Sequence, residues 1–318
     1  MNIAHFINAV LPIYYYGGME RVIIWLLEAL SGMGHKNFLL APPGTACPYA
    51  EVIPVDRVKR ITEASPDLEG KIPSSAEILH YHDGYSYKDY GVPMLKTIHG
   101  YAWLNKELDR NFNFVSDAQR RVYKRPDLPF VLNGLNPQEY IFSEEKEEFF
   151  LFLSKVDWKV KGLPWAVKAA KRAGVKLIIA GNSHRKFVEG YFHLGYLKRH
   201  FNHNCLYIGE IGGMIKNSYL ARAKALIFPT QWEDPCPVVT LEAMVSGTPV
   251  ITTHRGAMPE LVVDKKTGFL CDTVDEMVEA IRRVNDIDPH ECRNHVLEHF
   301  THERMAQEYV ELYKKNMV

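Results

Sequence analysis

The stretch from Phe228 to Glu260 constrains the fold of this 318-residue chain more than any other. A short apolar run, residues 225–228, is typical of a buried parallel strand. After an acidic loop, residues 238–245 have the composition of a buried helix that Gly247 ends, and residues 248–252 read as the next strand. Strand, helix and strand in this order predict a parallel α/β unit.

Two carboxylates flank the start of the predicted helix. Asp234 precedes it, and Glu242 lies about one turn inside. Free amides at a helix N-terminus attract anions, above all phosphates, whereas carboxylates accept hydrogen bonds from hydroxyls. The pattern therefore favours a ligand that has both phosphates and sugar hydroxyls. An N-capping acid followed by a solvated glutamate explains the spacing equally well.

The same stretch resembles a known signature. An acid is followed seven residues later by a glutamate, then by Ala-Met, Gly-Thr-Pro-Val and Pro-Glu; here these are Asp234, Glu242, Ala243-Met244, residues 247–250 and residues 259–260. This is similar to the donor site of retaining glycosyltransferases of family four, and the chain resembles their short AviGT-like branch. The resemblance implies the α/β GT-B fold, in which two Rossmann-like domains with parallel sheets face a central cleft.

Two positions depart from that signature. The family normally has Glu where Asp234 stands, although Glu233 is adjacent, and it often has Gly where Pro237 stands. The first departure leaves open whether Asp234 or Glu233 fills the acidic position. The second removes one backbone donor.

The first half of the chain opens with a strand, a glycine loop and a helix. The sequence predicts a strand at residues 3–10, a loop at Gly17 and Gly18, and an amphipathic helix at residues 19–33. A glycine pair lets the backbone approach a ligand closely, but it also forms ordinary turns. The family has Gly-Gly-x-Glu-Arg here, and the resemblance implies that Gly17 and Gly18 face the donor diphosphate and the acceptor.

Polar residues follow two further predicted strands. His82 and Asp83 come after residues 77–80, and His99 comes after residues 94–98. Ligands bind at the carboxyl ends of parallel strands, so these are candidate site residues. The family carries Thr-x-His at this point, which implies that His99 lies near the reacting sugar carbon. A loop histidine bound to backbone is the alternative for His99, and a turn cap or an acceptor contact are the alternatives for His82 and Asp83.

A charged run at residues 143–148 separates two folded patterns and predicts the domain boundary. We expect an N-terminal acceptor-side domain at residues 1–143 and a C-terminal nucleotide-sugar domain at residues 144–302. By analogy with the GT-B fold, the last helix, residues 303–318, packs back on the first domain.

The second half carries the remaining donor-site candidates. Lys155 and Lys161 follow its first predicted strand, and the resemblance implies that both bind the donor diphosphate; a solvated basic loop is the alternative. It also implies that the amides near Val238 and Val239 hold the diphosphate and that main chain near Ile211 contacts the nucleobase.

The implied reaction is metal-independent transfer of a hexose-type sugar, with retention at the anomeric carbon. The donor would be a UDP- or GDP-linked sugar, and the acceptor a carbohydrate, a lipid or a small molecule. In this interpretation Glu242 binds ribose hydroxyls, Asp234 binds sugar hydroxyls and His99 orients the sugar. A GT-B epimerase and a non-catalytic nucleotide-sugar binding protein remain alternatives.

Composition and motifs argue against several other classes of protein. Lys plus Arg equals Asp plus Glu, 38 each, so there is no electrostatic reason to expect nucleic acid. No G-x-G-x-x-G follows the first strand, which disfavours an NAD oxidoreductase. Five scattered cysteines without a C-x-x-C predict reduced thiols and no zinc site.

The acidic pair Asp286 and Asp288 resembles a metal-binding D-x-D, but Asp288 precedes Pro289 and reads better as a helix cap, so no metal site is predicted. No apolar run reaches transmembrane length, and the N-terminus reads as a strand rather than a leader. We expect a cytoplasmic protein, with peripheral docking at a membrane left open.

Overall fold

The computed structural model describes residues 1–15, 17–57, 68–82, 88–101, 107–181 and 204–317. The chain divides into two compact units. Unit 1 comprises Met1–Ile13, Gly17–Leu135 and Thr301–Val318, and unit 2 comprises Tyr14–Tyr16 and Asn136–Phe300.

Unit 1 is built on a parallel six-stranded sheet. The strands are β1 (Asn2–Phe6), β2 (Lys36–Ala41), β3 (Glu51–Pro54), β4 (Ile78–Tyr81), β5 (Met94–Ile98) and β6 (Phe112–Phe114). They lie in the order β3-β2-β1-β4-β5-β6. The chain therefore adds β2 and β3 on one side of β1 and then adds β4, β5 and β6 on its other side. This is the Rossmann order, and its ligand crevice lies at the carboxyl ends of β1 and β4.

The described helices of unit 1 pack against this sheet. In unit 1 they are α1 (Gly18–Gly32) and α2 (Asp117–Val122), and the C-terminal helix, named α9 below (His302–Asn316), packs on α1 and β5. α1 buries an apolar face that contains Val22, Ile23, Leu26, Leu27 and Leu30, which matches its predicted amphipathic pattern.

Unit 2 repeats the architecture. Its strands are β7 (Phe150–Leu153), β8 (Leu177–Ala180), β9 (Cys205–Tyr207), β10 (Leu226–Phe228), β11 (Val250–Thr252) and β12 (Gly268–Leu270), in the order β12-β11-β10-β7-β8-β9. The ladders between them are parallel. β7 and β10 therefore correspond to β1 and β4 of unit 1, and the predicted α/β class with two parallel sheets is confirmed.

The helices described in unit 2 are α3 (Leu163–Ala173), α4 (Gly213–Arg222), α5 (Val238–Val245), α6 (Met258–Leu261), α7 (Val274–Arg283) and α8 (Pro289–His299). α5 has the bounds that the sequence predicts. Short 3₁₀ turns occur at Pro137–Glu139, Lys159–Lys161 and Val284–Asp286.

The division into units falls before the predicted boundary at residue 143. Residues 136–143 belong to unit 2 because their main chain and side chains bond to it: Asn217 donates to the carbonyl of Glu139, and Ser143 N–H donates to the carbonyl of Ser246. The chain re-enters unit 1 at Thr301, one residue before α9 begins.

One strand prediction needs correction, and one strand was missed. The first strand ends at Phe6, not at Val10, because residues 7–11 turn away from the sheet while Ile7 and Leu11 stay buried. β3 was not predicted, because an edge strand with exposed and half-buried side chains lacks a strong apolar pattern.

No helix among the described residues is both long and apolar enough to cross a bilayer.

Candidate functional site

The donor-site residues predicted in the second half of the chain cluster at the carboxyl edge of the unit 2 sheet. β7 and β10 are neighbours there, at the point where the strand order reverses. The loop after β7 carries Lys155 and Lys161, and the loop after β10 carries Asp234 and leads into α5. Ligands of open α/β sheets bind at such a switch point.

Lys161 and Asp234 form a buried ion pair. Lys161 Nζ lies 2.5 Å from Asp234 Oδ2, and the two side chains are 7% and 6% exposed. The indole N–H of Trp232 donates to the same oxygen at 3.0 Å. The ammonium also lies 5.0 Å from the ring centre of Trp232 and 5.6 Å from that of Phe228. Each charge is therefore compensated by an opposite charge or a π face in a site that excludes water.

Backbone packing fixes the position of Lys161. Gly162 has φ +80°, and a side chain there would place Cβ only 1.8 Å from the carbonyl oxygen of Pro229. Gln231 N–H donates to the carbonyl of Val160 at 2.6 Å. The loop after β7 is thus in direct contact with the end of β10, which explains the Lys-Gly sequence.

The Asp234 loop is held from the other side by the turn that precedes α6. Ala257 N–H donates to the carbonyl of Asp234 at 2.9 Å. Gly256 has φ +57°, and a Cβ there would lie 2.4 Å from the backbone of Asp234. Because both loops are packed this closely, the carboxylate of Asp234 has a fixed direction.

Glu233, the alternative acid, has a different environment. Its side chain is 47% exposed and lies 3.8 Å from Arg255. Its Oε2 accepts the N–H of Gly256 at 2.7 Å. The acid buried beside Lys161 is therefore Asp234, whereas Glu233 caps a turn at the surface.

Glu242 belongs to a second buried ion pair. Lys216 Nζ, on α4, lies 2.7 Å from Glu242 Oε1, and the two side chains are 7% and 3% exposed. Tyr140 OH donates to the same oxygen at 2.8 Å. The carboxylate lies four residues inside α5, and its position is set by donors from α4 and from the segment before β7.

The other predicted donor residues lie around these pairs. Lys155 Nζ stacks over Trp158, 4.0 Å from the ring centre, and Trp158 meets Trp232 edge to face at 6.5 Å. Ile211 is half-buried, two residues before α4. The indoles therefore connect Lys155 to the Asp234 loop.

The start of α5 faces the same edge of the sheet. Val238 is buried and Val239 half-buried at its first two positions, and Pro237, the N-cap residue, contributes no side-chain cap. The first amides of a helix have no intrahelical acceptor, so they attract an anion.

Three residues of this site were not predicted: Tyr140, Lys216 and Trp232. One signal for Lys216 was available, because it lies one turn before Leu220 on the buried face of α4. A lysine on an apolar face needs a buried partner. No local pattern pointed to Tyr140 or Trp232.

In unit 1, Gly17 precedes α1 and Gly18 is its first residue. A Cβ on Gly17 would lie 2.5 Å from the side chain of Ile13 and 2.9 Å from the carboxylate of Glu20. Glycine at this position is thus required by packing within the loop. The predicted contact of Gly17 and Gly18 with a diphosphate stays a prediction.

His82 and His99 belong to a cluster of four histidines at the carboxyl ends of β1, β4 and β5. His5 Nδ1 lies 3.2 Å from His82 Nε2, and His82 Nδ1 lies 3.3 Å from His99 Nε2. His80 instead pairs with Thr97 and with Tyr313 of α9, both at 2.7 Å. Asp83 lies outside the described residues.

Burial keeps these histidines neutral. It lowers the pKa of His5 to about 3 and that of His99 to about 4. It also lowers the pKa of His80 and His82 well below 6.5, and repulsion from the neighbouring histidines adds to the effect.

Ring nitrogens of His5, His80 and His82 lie within 4.8 Å of one another, close enough to be considered as metal ligands. Both nitrogens of His80 already bond to hydroxyls, however, so metal binding would break one of those bonds. The acidic pair predicted as a cap behaves as such: Asp288 caps α8 by accepting from His290 N–H, and Asp286 bonds to Arg283.

Comparison with known proteins identifies the family. The family model described as glycosyl transferases group 1 matches residues 138–296, which is half of the chain and covers all the unit 2 site residues. The chain therefore belongs to the group 1 glycosyltransferases. A curated relative, N-acetyl-alpha-D-glucosaminyl L-malate synthase of Bacillus anthracis, is 26% identical over 233 residues, which cover 69% of this chain and 57% of that enzyme. The chain spans little more than half the length of the curated relatives it matches over most of its length.

Solved structures show the same fold over the whole chain. AviGT4, a glycosyltransferase involved in avilamycin A biosynthesis, superposes with a TM-score of 0.80 at 24% identity, covering 99% of this chain and 98% of that one. HepE of Anabaena, solved in complex with UDP-glucose, has a TM-score of 0.72 at 15% identity, covering 99% of this chain and 100% of its own. The fold is therefore that of the GT-B glycosyltransferases.

Proposed function

We propose that this protein transfers a sugar from a nucleoside diphosphate sugar to an acceptor hydroxyl, with retention at the anomeric carbon. The observation that carries the proposal is the arrangement in unit 2, where two buried cation–carboxylate pairs flank the start of α5. Such a site offers positive charge and helix amides to a diphosphate, and carboxylates to the hydroxyls on either side of it.

Lys161 and Asp234 can bind neighbouring parts of one donor. An ammonium has three N–H donors, so Lys161 can bind a phosphate oxygen and keep Asp234 as a partner. Lys161 and Trp232 both bond to Oδ2 of Asp234. A carboxylate accepts several hydrogen bonds, so the fixed Asp234 carboxylate also accepts from a sugar hydroxyl.

The remaining roles are assigned from the family resemblance. Glu242 accepts hydrogen bonds from ribose hydroxyls, and Lys155 and the amides of Val238 and Val239 bind the diphosphate. Main chain at Ile211 lies against the nucleobase. In unit 1, the same resemblance assigns His99 to orienting the donor sugar, and Gly17 and Gly18 to the diphosphate. An acceptor contact by His82 or Asp83 stays a prediction from the sequence.

The reaction exchanges one bond at the anomeric carbon. The bond to the diphosphate oxygen breaks, and a bond to the acceptor oxygen forms on the same face. The departing diphosphate takes the proton of the acceptor hydroxyl, so no protein base is required. The protein contributes placement and stabilisation of the charge that develops on the diphosphate, which are large sources of rate enhancement. Cations and amides do this without a metal ion or another cofactor.

HepE supports a UDP-linked donor, because it shares the fold and was solved with UDP-glucose. A GDP-linked sugar is the second candidate. The acceptor is a carbohydrate, a lipid or a small molecule, and the protein acts in the cytoplasm or at the membrane surface.

The test begins with thermal unfolding in the presence of UDP, GDP, ADP and CDP. A ligand that binds only the folded state raises the midpoint, and its stabilisation grows with the logarithm of one plus the ratio of its concentration to its Kd. We expect UDP or GDP to stabilise the wild-type protein, with an effect that EDTA does not change. Absence of stabilisation by every nucleotide would contradict the proposal.

The nucleotide that binds then guides an assay with its sugar conjugates and a panel of acceptors. We expect a glycoside whose anomeric configuration, read by NMR coupling constants, equals that of the donor. A changed nucleotide sugar without glycoside would identify an epimerase. Binding without turnover across all acceptors would indicate a binding protein.

A further inference from the structure

Three of the four clustered histidines of unit 1 form one hydrogen-bonded row, in which His5 and His82 are buried and His99 is half-buried. His82 has both ring nitrogens in contact with other histidines, His5 on one side and His99 on the other. The rings of His5 and His82 are nearly coplanar in orientation, 10° apart, which suits an in-plane N–H···N bond. A neutral imidazole has one N–H and one lone pair, so the proton position on one ring determines that on the next.

Neutrality of the row follows from its surroundings. His5 and His82 are 0% and 2% exposed, and burial is the largest influence that lowers the pKa of each ring. The neighbouring histidines lower the pKa of His82 further, whereas Asn37 raises that of His5. From α9, Tyr313 and Tyr309 face His80 rather than the row. A neutral row has two self-consistent states, with donation running either from His5 to His99 or from His99 to His5.

Asn37 selects between the two states. Its Nδ2 donates to the carbonyls of Leu27 at 3.0 Å and Tyr49 at 3.1 Å, which fixes the orientation of the amide. Its Oδ1 and His5 Nε2 are both buried, and neither has a hydrogen-bond partner at normal length among the described residues. The two residues are diagonal neighbours on the paired strands β1 and β2, and an interaction between their side chains raises the pKa of His5. Only an acceptor is left on Asn37, so His5 Nε2 carries the proton.

The remaining protons follow in order. His5 Nδ1 is then a lone pair and accepts from His82 Nε2–H, and His82 Nδ1 accepts from His99 Nε2–H. We infer that Asn37, His5 and His82 form a hydrogen-bonded relay that fixes His99 as the Nε2–H tautomer, with Nδ1 as a hydrogen-bond acceptor. These three are positioning residues, because they act through His99.

The consequence for binding rests on the proposed function. A fixed lone pair at Nδ1 accepts a hydrogen bond from a sugar hydroxyl and does not donate to a phosphate oxygen. His99 would therefore select donor sugars that place a hydroxyl group beside Nδ1. A sugar with an ether oxygen or a deoxy carbon at that position has no proton to donate.

The tautomer is tested without any substrate. In ¹⁵N NMR, an imidazole nitrogen that carries a proton resonates far upfield of one with a lone pair. We expect ¹⁵N-histidine-labelled wild-type protein at neutral pH to show His99, assigned by its loss in His99→Ala, protonated at Nε2 only. Protonation at Nδ1 would overturn the inference whether or not the protein transfers sugar.

Two variants test the relay. His82→Leu removes both bonds, so we expect His99 to become a mixture of tautomers; an unchanged tautomer would overturn the relay. His82→Gln keeps an acceptor and a donor on one side chain, so we expect it to restore the Nε2–H form. If His82→Leu does not fold, Asn37→Leu tests the same point, because the loss of its acceptor releases the tautomer of His5.

His80→Leu is the matched control. It removes a buried neutral imidazole that bonds to Thr97 and Tyr313 but not to the row, so His99 should keep its tautomer. Once an activity is established, His82→Leu should lower kcat about 10- to 100-fold with recovery in His82→Gln. Stoichiometric zinc in the purified protein, bound through His5 and His82, would overturn the inference because it would use the lone pairs of the row.

Discussion

The two sheets have the same strand topology, but ionisable groups are buried differently at their carboxyl edges: as charged pairs in one unit and as neutral rings in the other. In unit 2, lysines and carboxylates are buried together as charged pairs, Lys161 with Asp234 and Lys216 with Glu242. In unit 1, the histidines are buried as neutral rings that bond to one another and to hydroxyls.

The difference shows how each edge is suited to a different task. A buried charge pair keeps fixed charge at the site but depends on both partners, because either one alone is a strongly unfavourable buried ion. A neutral histidine row has no such dependence on charge and instead fixes the direction of hydrogen bonds. Charge at unit 2 suits a diphosphate, and directed neutral acceptors at unit 1 suit hydroxyls.

The largest effect is expected from breaking the Lys216–Glu242 pair. Lys216→Met removes the cation beside the buried carboxylate, which keeps its hydrogen bond from Tyr140, and we expect the free energy of unfolding to fall by about 3–5 kcal/mol. Urea denaturation measures this. The double variant Lys216→Met, Glu242→Gln removes both charges and should recover most of the loss. Equal stability of Lys216→Met and wild type would show that unit 2 does not depend on paired charge.

The next effect separates the two adjacent acids. Asp234→Asn keeps the shape of the side chain but removes the charge beside Lys161, and we expect turnover to fall about 100-fold, the scale of one hydrogen bond to a charged group. Glu233→Gln is the control, because its side chain is exposed and bonds to the Gly256 turn. It should stay within a few-fold of wild type. Wild-type turnover in Asp234→Asn, measured at saturating donor, would refute the role of this acid.

Acid should destabilise unit 1 through its histidines. The folded-state pKa of His80 lies well below 6.5, so the unfolded chain binds the proton first and stability falls as pH drops below about 6.5. Between pH 7 and pH 5 one such histidine accounts for about 2 kcal/mol.

His80→Asn keeps polar contacts to Thr97 and Tyr313 but cannot titrate. Between pH 7 and pH 5 the free energy of unfolding of His80→Asn should therefore fall by less than that of wild type. Urea denaturation at the two pH values measures both. The partners Thr97 and Tyr313 stay neutral there, and the other buried histidines, His5 and His82, contribute to the pH dependence of stability in both proteins. Identical losses would mean that His80 is charged, or exposed, in the folded chain.

The unit 2 site was largely predictable because its signals are local. The bounds of α5 follow from prolines before it and Gly247 after it, and the acids lie on that same segment. Lys161 was found through its place before Gly162. Its pairing with Asp234 was not predicted, because that contact depends on the packing of Gly162 against Pro229, which lies 67 residues further along the chain.

The histidine row illustrates what the sequence does not reveal. His99 and His82 were candidates because they follow strands, but His5 lies inside β1 and was read as part of the strand. It meets His80 only because β1 and β4 pair in that register, and no local pattern specifies the register of parallel strands. Asn37, on β2, lies beside His5 because of the register in which β1 and β2 pair.

The smallest effect concerns Lys155, whose ammonium stacks on the indole of Trp158. If the charges of unit 2 serve a diphosphate, Lys155→Met should weaken binding of the nucleotide identified by thermal unfolding about 10-fold, measured as Kd by calorimetry, since one contact to phosphate is worth about 1.5 kcal/mol or more. Lys159→Met is matched to it, because this lysine is exposed on the same loop and should leave Kd unchanged. Equal weakening by both variants would indicate only a diffuse basic surface. Loss in Lys155→Met alone would show that the cation held by the indole acts on the ligand, and would distinguish the charged edge of unit 2 from the neutral edge of unit 1.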